Sequence, residues 1–243
     1  MILDRVAVEG EVSVEALALA FDVSPETIRR DLTHLAEAGR LLKFHGGARR
    51  MRLQSETSFD ERMTEAAAGK ALIAARLAGV IAAGDTCFID TGTTTLACAR
   101  ALAGVARLTV ITNSARIAQV LAQGEGGAEV HMIGGLWSPD NGETVGPEAL
   151  DQIARFRADH AIIGVAAVDA TAGAMDADFN EAAIARAMCA HARSTIVVAH
   201  AEKFGRQAAH RIRRLDEVDM IVCDQPPGGE FRAALAAARV EIH

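Results

Sequence analysis

Between positions 70 and 223 the chain alternates short, strand-like apolar runs with helical ones, and this alternation restricts its fold more than any other feature. Lys70–Ala82 reads as a helix, Thr86–Asp90 as a strand, Thr94–Leu102 as a helix and Leu108–Thr112 as a strand. Ser114–Leu121, Pro147–Phe156 and Asn180–Ala192 continue the helical set. Glu129–Ile133, Ala161–Val165, Thr195–Ala199 and Met220–Cys223 continue the strands. Strands separated by helices are joined by crossovers and lie parallel, so an α/β fold with a doubly wound parallel sheet is expected. Ligands of such sheets bind beyond the carboxyl ends of the strands. The 243 residues are 50% hydrophobic, enough for a large core and too apolar for a disordered chain.

Several classes of protein are excluded. Apolar stretches such as Ala71–Ala75 and Ala161–Val168 fall far short of the ~20 residues that a membrane span needs, so no membrane partner is expected. Met1–Gly10 carries Asp4, Arg5 and Glu9 and does not read as a signal peptide. The four cysteines (Cys87, Cys98, Cys189, Cys223) are far apart with no CxxC pair. Buried thiols in a reducing, cytoplasmic protein are the expectation. No histidine has metal-ligand spacing, and no nucleotide fingerprint or Ser/His/Asp triad is visible, so neither a metal nor a cofactor is expected.

Charge is distributed unevenly. The net charge of −7 falls entirely after position 52, while Ser24–Arg52 holds Arg29, Arg30, Arg40, Lys43, Arg49, Arg50 and Arg52 against Glu26, Asp31 and Glu37. A locally cationic front end on an acidic body suggests that only the front end meets a polyanion. Its punctuation says how. Ser13 can cap a helix over Val14–Phe21, Asp22-Val23-Ser24 is a turn, and Ser24 with Pro25 at the first position can start a second helix that Gly39 stops. This is a helix-turn-helix. Ile28, Leu32 and Leu35 share one face of the second helix. Arg30 points away from them with Glu26, Thr33 and His34 nearby, and Thr27 and Arg29 lie on the flanks. An outward arginine suits phosphate oxygens and guanine edges. Leu42 and Phe44 then alternate with Lys43 and His45 before Gly46-Gly47, which predicts a two-stranded wing with Arg49 near its tip.

Glu26-Thr27-Ile28-Arg29-Arg30-Asp31-Leu32, with Leu35, Gly39, Leu41 and His45-Gly46-Gly47-Ala48, resembles the winged helix-turn-helix signature of the DeoR-type bacterial transcriptional regulators. The resemblance implies sequence-specific binding of double-stranded operator DNA, with 27–34 in the major groove. The family's first helix extends further before the glycine at position 10 than Ile2–Val8 does. That difference points to a native start upstream of Met1 or to a shortened module.

In the larger domain the loops after the expected strands carry the chemistry. Asp90-Thr91-Gly92-Thr93-Thr94-Thr95 joins a strand to a helix and offers free N–H groups, hydroxyls and the positive end of a helix dipole, the parts of a phosphate cradle. The next strands end in Thr112-Asn113-Ser114 and in Gly134-Gly135, and Lys203 follows a later one. Such residues at helix starts often serve only as caps. Four such features at successive strand ends point together to an anion-recognition cleft.

These segments, with Val145-Gly146-Pro147, Glu181-Ala182 and Lys203-Phe204-Gly205-Arg206, are similar to the sensor half of the same family. The resemblance implies a domain of the ribose-phosphate isomerase type of fold that binds a phosphorylated sugar or polyol effector. Asp178 and Glu181, within Gly173–Glu181, resemble the glycerol-3-phosphate repressor branch. Ala166 and His200 stand where the family often carries Asp, and Ala185 where a lysine is frequent, departures that bear on the polyol-facing part of the pocket.

The expectation is therefore a homo-oligomeric repressor of carbohydrate or polyol catabolism, with glycerol 3-phosphate as first-choice effector. It has a DNA-binding domain at 1–50, a linker at 51–61 and a sensor domain at 62–243. A sugar-phosphate isomerase is the competing reading, since Asp90, Asp176, Asp178, Glu181 and Lys203 could supply an acid and a base. Ala166 and Ala185 remove polar groups from that region, and the DNA reader gives the domain a non-catalytic use. A DNA-binding scaffold with an empty pocket is the third.

Overall fold

The computed structural model describes residues 1–37, 41–44, 46–49 and 56–243, and its contacts divide into two units, Met1–Ser55 and Glu56–His243. The smaller unit runs α1 (Ile2–Glu9), β1 (Glu11–Ser13), α2 (Val14–Phe21), α3 (Pro25–Glu37), β2 (Leu42–Phe44) and β3 (Gly47–Arg49). Ser13 starts α2 by accepting a hydrogen bond from the Ala16 N–H at 3.1 Å, and Ser24 does the same for the Thr27 N–H at the start of α3. Ile28 and Leu32 are fully buried with Val6, Val14, Leu17, Leu41 and Ala48, and Leu35 packs against them. One apolar stripe of α3 is thus consumed by the core, which leaves its opposite face in solvent. The wing has a third strand beyond the two expected. β1 pairs antiparallel with β3, giving the order β1-β3-β2. At three residues, Glu11–Ser13 is too short to show a period of two in the sequence.

The larger unit contains, in order, α4 (Phe59–Thr64), α5 (Ala67–Ala78), β4 (Thr86–Ile89), α6 (Thr93–Leu102), β5 (Thr109–Thr112), α7 (Ala115–Ala122) and β6 (Glu129–Met132). It continues with β7 (Leu136–Ser138), β8 (Glu143–Val145), α8 (Pro147–Ile153), β9 (Ala158–Ile163), β10 (Ala167–Asp169), β11 (Gly173–Asp176) and α9 (Phe179–Ala190). β12 (Ala192–Val198), β13 (His210–Arg213), β14 (Met220–Val222), α10 (Gly229–Ala238) and β15 (Glu241–Ile242) complete it. Seven parallel strands form one sheet in the order β15-β14-β12-β9-β4-β5-β6. Alternate residues of each strand enter different cores. Phe88, Ala161, Ile163, Val197 and Ile221 pack with α8, α9 and α10. Cys87, Ile89, Val110, Ile162, Ile196 and Val198 pack with α5, α6 and α7. Both faces being covered, the strands read as unbroken apolar runs, and the expected doubly wound sheet is what forms.

In the larger unit, three elements depart from the sequence-based expectation. The sequence reads 51–61 as a linker. Residues 51–55 lie outside the described residues, but from Glu56 onward the chain is part of the larger unit. Ser58 and Glu61 form a capping box for α4, with the Ser58 side chain accepting from the Glu61 N–H at 3.3 Å and the Glu61 carboxylate accepting from the Ser58 N–H at 3.0 Å. Phe59 is buried in the core with α5 to α7. The hairpin β7–β8 and the antiparallel sheet β10-β11-β13 were not anticipated either. Gly173 fixes the turn into β11 with φ +91°, and a Cβ there would meet the Arg213 carbonyl oxygen at 2.1 Å. The four cysteines are free and buried, and no helix among the described residues is long and apolar enough to cross a membrane.

Leu32→Ala empties a fully buried position between α2 and α3. It is expected to destabilise the smaller unit by about 2–5 kcal/mol. Chemical denaturation followed by circular dichroism checks this; a loss below about 1 kcal/mol contradicts the packing described.

Candidate functional site

Two sites follow, one in each unit. On α3, Thr27, Arg29, Arg30 and His34 are exposed and Thr33 is half-buried. Arg29 pairs with Glu26 at 3.2 Å on the surface, and the Thr27 hydroxyl lies 2.9 Å from the Ser24 hydroxyl. The Thr33 hydroxyl donates to the Arg29 carbonyl at 2.8 Å and accepts from Lys43 Nζ at 2.7 Å, which ties β2 to α3. Arg30 has no ion pair or hydrogen bond among the described residues and projects from the face opposite Ile28 and Leu32. Arg49 is exposed at the end of β3. His45 lies outside the described residues.

The second site is a cavity at the carboxyl ends of the sheet strands. Its cavity volume is about 40 Å³, and it opens to solvent. Its lining comes from six places in the chain: Glu56 with Arg62, Glu65 and Lys70; Thr91–Thr94; Gly164–Ala166 after β9; Asp176 at the end of β11; Glu181 on α9; and His200 with Lys203 after β12. Gly92, at φ +136°, brings no capping side chain to α6, so the first N–H groups of that helix have no partner within it. The Thr91 hydroxyl is buried with no hydrogen-bond partner. Facing them, Lys203 Nζ lies 2.9 Å and Arg62 Nη1 2.5 Å from the Glu56 carboxylate.

A dense acidic network surrounds this cation pair. Arg62 Nη2 donates to Asn141 Oδ1 at 2.6 Å, and Asn141 Nδ2 donates to Glu181 Oε1 at 2.7 Å and to Glu143 Oε1 at 3.3 Å. Asn113 Nδ2 donates to Glu143 Oε2 at 2.8 Å. Burial sets the protonation of these acids. It pushes Asp90 well above the usual carboxylate range, with the Glu143 and Asp176 charges adding to it. Burial raises Glu143 to about 7 against the bonds from Asn141 and Asn113, and Asp176 to about 6, aided by the Glu56 charge. Glu181 reaches about 10, through burial and the neighbouring Asp176, Glu143, Asp90 and Glu56. Burial also pushes Glu56 up, but Lys203 and Arg62 outweigh it and hold this carboxyl below its ordinary value. His200 is driven down to about 4 by burial and by the Lys203 and Lys70 charges, so the imidazole is neutral. Among the described residues no group of His, Cys, Asp or Glu is arranged to hold a metal ion.

Of the effector residues expected from sequence, Thr91, Gly92, Thr93, Thr94, Glu181 and Lys203 line the cavity together. The others do not. Asp90 sits beneath it and accepts from the Thr91 N–H at 2.8 Å, and Thr95 turns its hydroxyl back to the Gly92 carbonyl. Asn113 holds Glu143 from behind, and Ser114 caps α7. The Gly134 N–H donates to Gln152 Oε1 at 3.1 Å, and Gly135 passes so close to the Val145 carbonyl oxygen that a Cβ would come within 2.6 Å. Asp178 caps α9, accepting from the Asn180 and Glu181 N–H groups. These residues shape the site without facing it, because a strand-end residue can satisfy the next helix's N–H groups instead of a ligand.

Sequence reasoning missed Glu56, Arg62, Lys70, Asn141 and Glu143. Two signals were present. Ser58-x-x-Glu61 is a capping box that starts a helix inside the presumed linker, and Asn141-Gly142 between short apolar runs is a hairpin turn.

Two sequence families match the chain: a DeoR-like helix-turn-helix domain over residues 1–54 and a DeoR C terminal sensor domain over residues 65–225. The HTH-type transcriptional repressor CsqR of Escherichia coli (strain K12) is 35% identical, with 99% of this chain and 92% of that protein covered. The glycerol-3-phosphate regulon repressor of the same organism is 36% identical over 99% of this chain and 95% of its own length. That of Haemophilus influenzae is 36% identical over 94% and 89%. Among solved structures, the tetrameric eIF2B-beta2-delta2 complex from C. thermophilum superposes with a TM-score of 0.50 at 16% identity. It covers 74% of this chain and 63% of that one, a likeness of fold alone. A ribose 5-phosphate isomerase from Methanocaldococcus jannaschii gives 0.41 at 16% identity, over 56% of this chain and 53% of that one.

The buried acids have a pH signature. Where burial raises an acid, the folded protein keeps a proton that the unfolded chain has released, so stability falls as pH rises from the unfolded value through the folded one. For Asp176 and Glu143 that loss ends near 6 and 7, and for Glu181 near 10. His200, lowered to about 4, acts in the opposite direction only below its ordinary value of 6.5. The melting temperature is therefore expected to decline between about pH 7 and about pH 8.5, and Glu181→Gln is expected to flatten that decline. Parallel melting curves for the two proteins across this range contradict the assignment.

Proposed function

The chain belongs to the DeoR family of transcriptional regulators, and from that premise we propose that it is a repressor whose grip on operator DNA is relieved by a phosphorylated polyol or sugar. Glycerol 3-phosphate is the first candidate. One observation carries the effector side: the uncapped start of α6, with the partnerless Thr91 hydroxyl, faces Lys203 and Arg62 across one cavity. Helix N–H groups and a cation pair are what a phosphate requires. The protonated Glu181 and neutral His200, in the same lining, suit uncharged hydroxyl groups. Asp90, Asn113, Ser114, Gly134, Gly135, Thr95 and Asp178 support this surface from outside it.

On the DNA side, Arg30 reads a base edge in the major groove. Thr27, Arg29, Thr33 and His34 of α3, with Lys43, His45 and Arg49 of the wing, position the module on the phosphate backbone. The protein acts in the cytoplasm as a homo-oligomer, the arrangement in which helix-turn-helix modules read a symmetric operator. The effector binds better to the conformation that releases DNA, and that difference in affinity is the switch.

Electrophoretic mobility shift with the chain's own promoter fragment, with and without glycerol 3-phosphate and other phosphorylated sugars, tests this reading. Arg30→Ala is expected to cost about 1–3 kcal/mol at one base position. Lys203→Ala and Thr93→Val are expected to keep DNA binding but require more effector for release. Promoter occupancy unchanged by every phosphorylated compound, together with turnover of an aldose or ketose phosphate, favours the isomerase instead.

A further inference from the structure

The anion site of the cavity is already filled by the chain itself. Glu56 lies with its carboxylate against Lys203 Nζ at 2.9 Å and Arg62 Nη1 at 2.5 Å, and all three side chains are largely buried. It is the first residue of the larger unit, directly after the smaller unit's last residue, Ser55. Nothing in the packing of α4 requires a carboxylate at this position, because the helix begins at its own capping box, Ser58 with Glu61. Two buried cations with no carboxylate in contact would be strongly unfavourable, and Glu56 is the acid that pairs directly with both; Glu181 keeps its proton, and Asp176, raised to about 6, adds negative charge nearby without an ion pair to either cation.

We propose that Glu56 is a built-in competitor of the effector: its carboxylate occupies the Arg62–Lys203 pair until the effector's anionic group displaces it. The proposal rests on the reading of this cavity as a phosphorylated-effector site. Displacement transfers the two cations from a side chain of the protein to the ligand and releases residue 56 from the cavity. Residue 56 is where the chain arrives from the DNA-binding unit, so occupancy of the site and tethering of that arrival point exclude one another. This supplies the two states with different effector affinity that a switch needs.

Glu56→Gln removes the competing charge while keeping the size of the side chain. Titration calorimetry on the full-length protein, with glycerol 3-phosphate, inorganic phosphate and uncharged glycerol as separate probes, reads the outcome. The variant is expected to bind both anions about tenfold more tightly than the wild type, with glycerol affinity unchanged, and to release operator DNA at correspondingly lower glycerol 3-phosphate. Glu56→Asp, which retracts the carboxylate, serves as the second variant if glutamine impairs folding, and is expected to gain affinity in the same direction. Equal or weaker anion binding, or the same gain for glycerol, overturns the proposal. If the wild type binds glycerol 3-phosphate and Glu56→Gln binds it no better, only the competitor role fails. If Glu56→Gln gains phosphate affinity while no phosphorylated compound releases operator DNA, the effector reading fails and the competitor role stands. If neither protein binds any anion, both fall.

Discussion

The larger unit is organised around charge taken out of water. At the ends of β4, β9, β11 and β12, several acidic side chains meet Arg62, Lys70 and Lys203 in a cavity partly open to solvent. An isolated ion there would cost several kcal/mol, and only two remedies exist: neutralise the group or pair it. Both are used, on different residues. Asp90 and Glu181 have no ion pair with a cation; burial pushes Asp90 well above the usual carboxylate range and holds Glu181 protonated at neutral pH. Glu56 has two and is held ionised. The division follows from placement alone, since every one of these groups is a simple carboxyl.

Placement in turn comes from the sheet. A parallel strand delivers its carboxyl end to the same edge as its neighbours, and each following loop opens a helix there with free N–H groups. The two hairpin systems that interrupt the α/β alternation have their function at that edge. β7–β8 carries Asn141 and Glu143 beneath the cavity, and Asn141 links Arg62 to Glu181 in one chain of hydrogen bonds. β11 ends in Asp176, whose carboxylate also accepts from the Asp178 N–H at 3.1 Å and so aligns the start of α9. The positions where the family often has an acid, Ala166 and His200, leave a small side chain and a neutral ring in the lining. At these two positions the lining therefore carries no acidic group.

Much of the fold was legible because its signals are periodic or local. Unbroken apolar runs mark strands covered on both faces, and Ser13, Ser24 and Pro25 mark helix starts whatever surrounds them. The site was only half legible. Thr91–Thr94 and Lys203 could be read from the sequence because a phosphate cradle has a composition of its own. Glu56, Arg62, Asn141 and Glu143 could not, because each acts through partners distant in the chain: Arg62 meets Asn141 across 79 positions and Lys203 meets Glu56 across 147. Conversely, Ser114 and Asp178 looked like ligand groups because a cap and a ligand contact use the same residue types. Only the direction of the side chain separates the two roles, and that is a tertiary property.

The resting charge balance also limits what can act as effector. A neutral sugar entering the cavity would have to leave Glu56 in place, since removing it without replacement leaves Arg62 and Lys203 with no carboxylate in contact. A ligand bearing one carboxylate could exchange with Glu56 at little net gain, because both present the same charge to Arg62 and Lys203. A phosphate monoester carries about −1.5 to −2 charge at neutral pH and three acceptor oxygens. It can satisfy Lys203 and Arg62 while its remaining oxygen takes the N–H groups at the start of α6 and the Thr91 hydroxyl, which a side chain anchored at position 56 leaves without a partner. If the cavity takes a phosphorylated effector, as proposed, selectivity against neutral or carboxylated metabolites would come from the carboxylate that the ligand must displace as much as from the groups that hold it.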